Sequence, residues 1–323
     1  MLVDLEAPPT SGMPARQKLL LTLLSFVLVV ITIAVSYEAV ASTDAFNRRQ
    51  EIEQADTKPS AQLHNPQDAQ LQPAMEQVAL TIAQDFDAQV GIATLGGGGP
   101  VHAGELDNRA AWSTLKVPIA AAAWEKVQHD SGADQPDPAI AAEVQQNINA
   151  AIENSDNDAA LALWYFLGDD SDQLAAERLS AYLTRGGDST QVPEEFQTGV
   201  FEGFGDTLWR ATDQVRFLSN FQCEPGSQPV LEAMGRINPE HMVGLGTVPG
   251  ALFKGGWGLG YDDQYVYRQM GLVPVGPGGA MIPVAIIIIP NDGSQDTAMS
   301  AIDATMRQLT PALSEATPVR PCP

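Results

Sequence analysis

The hydrophobic pattern opens on Leu19 to Tyr37 (LLLTLLSFVLVVITIAVSY), nineteen consecutive residues without a charge. A helix of that length spans roughly 28 Å, just enough for a bilayer core. Arg16 and Lys18 precede it, and Glu38 and Asp44 follow. Positive charge on the N-terminal side predicts a start in the cytoplasm and the rest of the chain outside, and the length of the run favours an uncleaved anchor. The alternative is a signal peptide cut after the small residues Ala39-Val40-Ala41, although the run is long for a signal core. No Cys stands at the junction, which argues against a lipid anchor. Residues 42–70 are polar, lack an apolar period and read as a linker, with the domain starting near Leu71.

Beyond the linker the period changes from element to element. Pro73 to Phe86 carries apolar residues at helical spacing (Met75, Val78, Leu80, Ile82, Ala83). Val90–Leu95 and Val101–Gly104 read as strands joined through the glycine run Gly96–Gly99. Helical stretches follow over Trp112–Val127, Pro138–Ile152, Asp156–Leu167, Ser171–Leu183, Thr212–Phe221 and Pro229–Ile237. The aperiodic, Gly- and acid-rich segment Gly186–Gly205 interrupts them as a long loop. Strand patterns return at Ala251–Gly258, Gln264–Val273 and Ile282–Ile289, and Ser294–Leu309 closes as a helix. The simplest packing is an α/β (α+β) fold. A five-stranded antiparallel sheet is covered by the first and last helices, and a helical lobe spanning about 112–238 is inserted. A cleft between sheet and lobe is where a ligand site is expected.

Composition removes several function classes. The formal net charge is −23, which argues against nucleic-acid binding and against docking on anionic lipid through a basic patch. Two cysteines, Cys223 and Cys322, exclude a disulfide-dense fold and a multi-cysteine zinc site. Outside the cytoplasm they can pair or remain thiols, since sequence does not fix their distance. The four histidines have no zincin spacing, and the glycine run Leu95–Pro100 lacks the lysine of a phosphate cradle. No metal or organic cofactor is implied.

Three short motifs sit at the seams of the predicted lobes: Ser113-Thr114-Leu115-Lys116 at the start of the helical block, Ser155-Asp156-Asn157 between two helices, and Lys254-Gly255-Gly256 on the first returning strand. An S-x-x-K string alone is a weak signal; the ordered set is a strong one. Together they resemble the serine hydrolases of the class A β-lactamase and penicillin-binding-protein family, over about residues 71–315. A serine hydroxyl is a poor nucleophile until a neighbour takes its proton. On a helix, Lys116 shares a face with Ser113, and a lysine becomes a base when burial or a nearby cation, here Lys254, lowers its pKa. The resemblance assigns further roles. The Ser113 and Trp257 N–H groups form the oxyanion hole, Ser155 relays a proton to the leaving nitrogen, Asn157 holds the substrate amide, and Gly255 and Gly256 line the binding edge.

Plainer roles stand beside these. Ser113 can be a helix N-cap, Ser155 or Asp156 can cap the following helix, Lys254 can sit in a surface ion pair, and Trp112 and Trp257 can be core. The chain also departs from the family. Gly255 replaces the hydroxyl residue that binds a substrate carboxylate. On the long loop, Pro193-Glu194-Glu195-Phe196-Gln197 puts proline where the water-activating glutamate belongs, so only a local shift lets Glu194 or Glu195 serve. The stretch from Ser113 to Ser155 is shorter than in typical members. The expected protein is an extracytoplasmic serine hydrolase, anchored through residues 19–37 or secreted. It acts on a β-lactam or a peptidoglycan peptide through an acyl-enzyme. The alternative is an esterase, or a non-catalytic module of the same fold that binds wall material or a partner.

Overall fold

The computed structural model describes residues 69–130, 137–193, 203–260, 264–276 and 278–319. The apolar segment 19–37, the Ala39–Ala41 site, the linker up to residue 68, Glu194, Glu195 and Cys322 lie outside them. Among the described residues no helix is long and apolar enough to cross a membrane. Cys223 is disulfide-bonded.

Helix α1 (Leu71–Phe86) buries Leu71, Met75, Val78, Ala79 and Ile82, the i, i+4, i+7, i+8 stripe of a helix seated on a sheet. It ends at Asp87 in a left-handed conformation. Strands β1 (Ala88–Gly96) and β2 (Gly99–Gly104) form the hairpin the glycine run predicts. After the helical lobe come β5 (Leu252–Leu259), β6 (Tyr265–Val275) and β7 (Ala280–Pro290). The sheet order is β2-β1-β7-β6-β5, with every neighbour antiparallel. β7 is the middle strand, and its Ile286-Ile287-Ile288-Ile289 run is buried at every position. A continuous apolar strand is what a sheet covered on both faces requires. The closing helix α8 (Gln295–Leu309), capped by Ser294 on the Thr297 N–H, packs with α1. Both lie against the sheet.

The lobe between β2 and β5 contains α2 (Lys116–Asp130), α3 (Pro138–Glu153), α4 (Asn157–Gly168), α5 (Asp172–Arg185), α6 (Ala211–Phe221) and α7 (Ser227–Met234). Two three-residue strands, β3 (Asn108–Ala110) and β4 (Leu208–Arg210), pair as a separate ribbon that the sequence period does not show. Three residues are too few to establish an alternation. The helix expected to begin at Trp112 is a 3₁₀ turn over Trp112–Leu115, and the α-helix starts at Lys116. α7 ends three residues before the expected Ile237.

Candidate active site

Ser113 lies in the 3₁₀ turn at the mouth of α2, and the geometry of that turn comes from tertiary packing. Trp112 has φ 52°, a left-handed conformation that a bulky side chain adopts only under constraint. The constraint is β5. A Cβ added at Gly256 would lie 2.8 Å from the Ser113 nitrogen, and one added at Gly258 would lie 2.2 Å from the Trp112 ring. The two glycines let the edge strand press its backbone on the turn, which fixes where the Ser113 N–H points. The N-cap of the turn is Ala111, which makes no side-chain cap hydrogen bond, so Ser113 lies inside the turn and not at its N-cap. In a 3₁₀ turn residues i and i+3 eclipse, so Ser113 and Lys116 still project from one side.

Both lysines of the motifs are buried, Lys116 at 1% and Lys254 at 2% exposure, and both reach Ser155. Lys116 Nζ donates to the Ser155 carbonyl at 2.6 Å, the Asp156 carbonyl at 3.2 Å, Asn157 Oδ1 at 2.6 Å and, longer, Ser155 Oγ at 3.5 Å. Lys254 Nζ donates to Ser155 Oγ at 3.0 Å and to the Gly255 carbonyl at 2.9 Å. Lys254 therefore faces the site instead of the surface, and among the described residues it forms no ion pair. Ser155 has φ 57°, a second left-handed residue at the site. The cap of α4 is Asp156, whose carboxylate accepts from the Ala159 N–H at 2.8 Å.

Burial sets the electrostatics. Desolvation brings the Lys116 pKa down from 10.5 to about 8, with the Asp156 charge opposing it. Desolvation pushes Lys254 well below its ordinary value, and the Lys116 cation pushes the same way. Two buried ammonium groups sharing one serine hydroxyl disfavour each other, so a proton is readily lost from the pair. Among the described residues no hydrogen bond joins Lys116 Nζ to Ser113 Oγ. The structure brings Lys116, Ser155, Asn157 and Lys254 together directly, and Ser113 through the Gly256 contact and its place one turn before Lys116.

Sequence reasoning missed four contributors. Arg268 on β6 is fully buried opposite Gly256, and its guanidinium donates to the carbonyls of Arg109 (2.8 Å), Ala110 (2.9 Å) and Trp209 (3.0 Å). It thereby ties the β3–β4 ribbon, which leads into Trp112, to the sheet. Its pKa falls to about 9, chiefly from burial. Gln269, opposite Gly255, accepts from the Leu245 N–H (2.8 Å) and donates to the Val243 carbonyl (2.9 Å). Trp257 stacks on Tyr267 with centroids 5.6 Å apart and planes 9° from parallel, and His241 meets Trp257 edge-on at 5.2 Å. Burial, and then the Lys254 cation, lower the His241 pKa. The one sequence signal for any of these is a lone arginine in the otherwise uncharged β6 run Tyr265–Val275.

No family model matches the chain, and no curated protein matches it. Solved structures do. The chain is similar to TLA-3 extended-spectrum beta-lactamase at 15% identity and TM-score 0.59, covering 75% of this chain and 99% of that one. It is similar to a class A beta-lactamase from Bacteroides cellulosilyticus at 14% identity and TM-score 0.58, covering 75% and 98%. It is also similar to a beta-lactamase from Streptosporangium roseum at 16% identity and TM-score 0.58, covering 75% and 99%. At these identities the likeness establishes the fold, which is that of the class A β-lactamases.

Proposed function

We propose that this chain is a serine hydrolase that acylates Ser113 with a β-lactam or a cell-wall peptide amide. The observation that carries the reading is the convergence on the Ser155 hydroxyl of two buried, destabilised ammonium groups, one of them from Lys116, three residues after Ser113. In the forward step the Ser113 oxygen bonds to the substrate carbonyl carbon while neutral Lys116 takes the hydroxyl proton. The C–N bond then breaks as Ser155 hands its proton to the leaving nitrogen and is reprotonated from the lysine pair. The Ser113 and Trp257 N–H groups are the oxyanion donors in this reading, a role that the close packing of Gly256 on the Ser113 nitrogen favours. Lys116 must swing from Asn157 toward Ser113. Such tightening on substrate binding is common, because catalytic hydrogen bonds are often loose in the free enzyme. Deacylation would use Glu194 or Glu195. The apolar segment 19–37 supports a location outside the cytoplasm.

A second reading, a non-catalytic or esterase-like member of the fold, is favoured by Gly255, which offers no hydroxyl. The two separate on a panel of nitrocefin, a D-Ala-D-Ala peptide and a p-nitrophenyl ester. Turnover of nitrocefin or the peptide that disappears in Ser113→Ala supports the proposal. Turnover confined to the ester supports the esterase. Identical behaviour of wild type and Ser113→Ala on every substrate supports the binding module.

A further inference from the structure

The side chains on the α8 side of β5 describe a substrate that differs from a carboxylate-bearing one. On this side of the edge an anion needs a hydroxyl, an amide N–H or a cation facing it, and Lys254, one residue before Gly255, turns to the opposite side toward Ser155. Position 255 has no side chain, and Gln269 opposite it spends both ends of its amide on Leu245 and Val243. Arg268, the next residue on β6, points to the other face of the sheet, where three carbonyls hold it. The strip is aromatic instead. The partly exposed Trp257 ring lies across Gly255, with its Cζ3 3.5 Å from where a Cβ would stand. Buried Tyr267 supports it from behind, and the half-buried His241 ring meets it edge-on. Leu259, two residues after Trp257, and Met242, next to His241, are 53% and 44% exposed. The net charge of −23 adds a long-range field that repels anionic ligands.

We propose that this edge binds an uncharged aromatic or apolar acyl group, so that the preferred substrate is a neutral amide or lactam lacking a carboxylate beside the scissile bond. The inference rests on the serine-hydrolase reading for its chemistry, and its own content is a binding preference. The wall is formed by Trp257 and His241, with Tyr267 as its support. Apolar area and ring stacking supply the attraction.

The test is binding of two stable anilides to the full chain by titration, phenylacetanilide and succinanilic acid, which share the aniline and differ in the acyl group. Phenylacetanilide is expected to bind at least tenfold tighter. Trp257→Ala and, as the less disruptive change, His241→Ala are each expected to weaken it severalfold while leaving succinanilic acid unchanged. Gly255→Ser, for which there is room, is expected to narrow the gap by improving the acid. Equal affinity, tighter binding of the acid, no binding of either, or indifference of phenylacetanilide to both variants overturns the proposal. Ser113→Ala separates the two readings: anilide preference retained with no Ser113-dependent hydrolysis of p-nitrophenyl phenylacetate refutes the hydrolase and leaves the aromatic subsite standing.

Discussion

Gly256→Ala is the sharpest perturbation of the turn that presents Ser113. The added methyl would lie 2.8 Å from the Ser113 nitrogen, 2.8 Å from Trp112 Cβ and 3.1 Å from the Ala111 carbonyl oxygen. Non-bonded carbon contacts rest at about 3.5–4.0 Å, so the first two are roughly 0.7 Å too close. None of the three atoms is the far end of a flexible side chain. Gly256 is held by its pairing with Arg268, and Ala111 donates its N–H to the Thr207 carbonyl at 2.8 Å. The strain must be absorbed by backbone, at a cost of roughly 1–3 kcal/mol for overpacking. Mid-range, that is a fall in Tm of about 4–8 °C for a domain of this size. The neighbour is the control: a Cβ at Gly255 meets nothing nearer than 3.5 Å. Gly255→Ala is expected to be neutral or to stabilise by about 0.4–1 kcal/mol through the unfolded chain. Thermal melts of both variants, with the acylation rate of Ser113 measured alongside, decide the matter. Gly256→Ala should lose both stability and reactivity. Equal melting of the two variants, or an unaffected Gly256→Ala, would refute the argument that β5 shapes the turn.

Three further outcomes are expected. If neutral Lys116 is the base, the acylation rate climbs with pH and levels off near its pKa of about 8; a flat profile from pH 6 to 9.5 contradicts the assignment. Because the folded pKa lies below the unfolded one, the unfolded chain binds the extra proton only between about 8 and 10.5. Stability should therefore gain from Lys116 as pH rises through that window and not below it, and Lys116→Met should remove that gain in denaturant titrations. Arg268→Met leaves three buried carbonyls without their donor and is expected to cost about 2–5 kcal/mol, with Arg268→Lys intermediate because an ammonium lacks the planar fork; wild-type melting of Arg268→Met contradicts the clamp.

The motifs were legible because each is a short string whose spacing is fixed locally, and the sheet was legible because its strands are long enough to declare a period. The hairpin through Gly96–Gly99 and the two-sided burial of β7 follow from residues that any strand in those positions needs. The 3₁₀ turn was not legible. Trp112-Ser113-Thr114-Leu115-Lys116 has nothing in its propensities against an α-helix start, and the left-handed Trp112 is imposed by glycines far along the chain. Expecting Lys116 to meet Ser113 followed from i,i+3 spacing, which places both on one side but does not decide which acceptor the ammonium takes; Ser155, Asp156 and Asn157 supply four that the spacing cannot reveal. Arg268 and Gln269 were invisible for a related reason. In β6 they alternate faces as any polar pair would, and only the partners across the sheet show that one clamps the ribbon and the other holds the segment around Leu245.

Capture of the acyl-enzyme tests the role of Ser113 most directly. Incubation of the full chain with a fluorescent penicillin and, separately, with the neutral acyl donor p-nitrophenyl phenylacetate, followed by intact-mass and peptide mapping, is expected to show one adduct on Ser113, absent from Ser113→Ala and slowed at least tenfold in Lys116→Ala. A wild-type protein that stays unmodified by both probes at high concentration, or an adduct that persists in Ser113→Ala, would contradict the hydrolase reading.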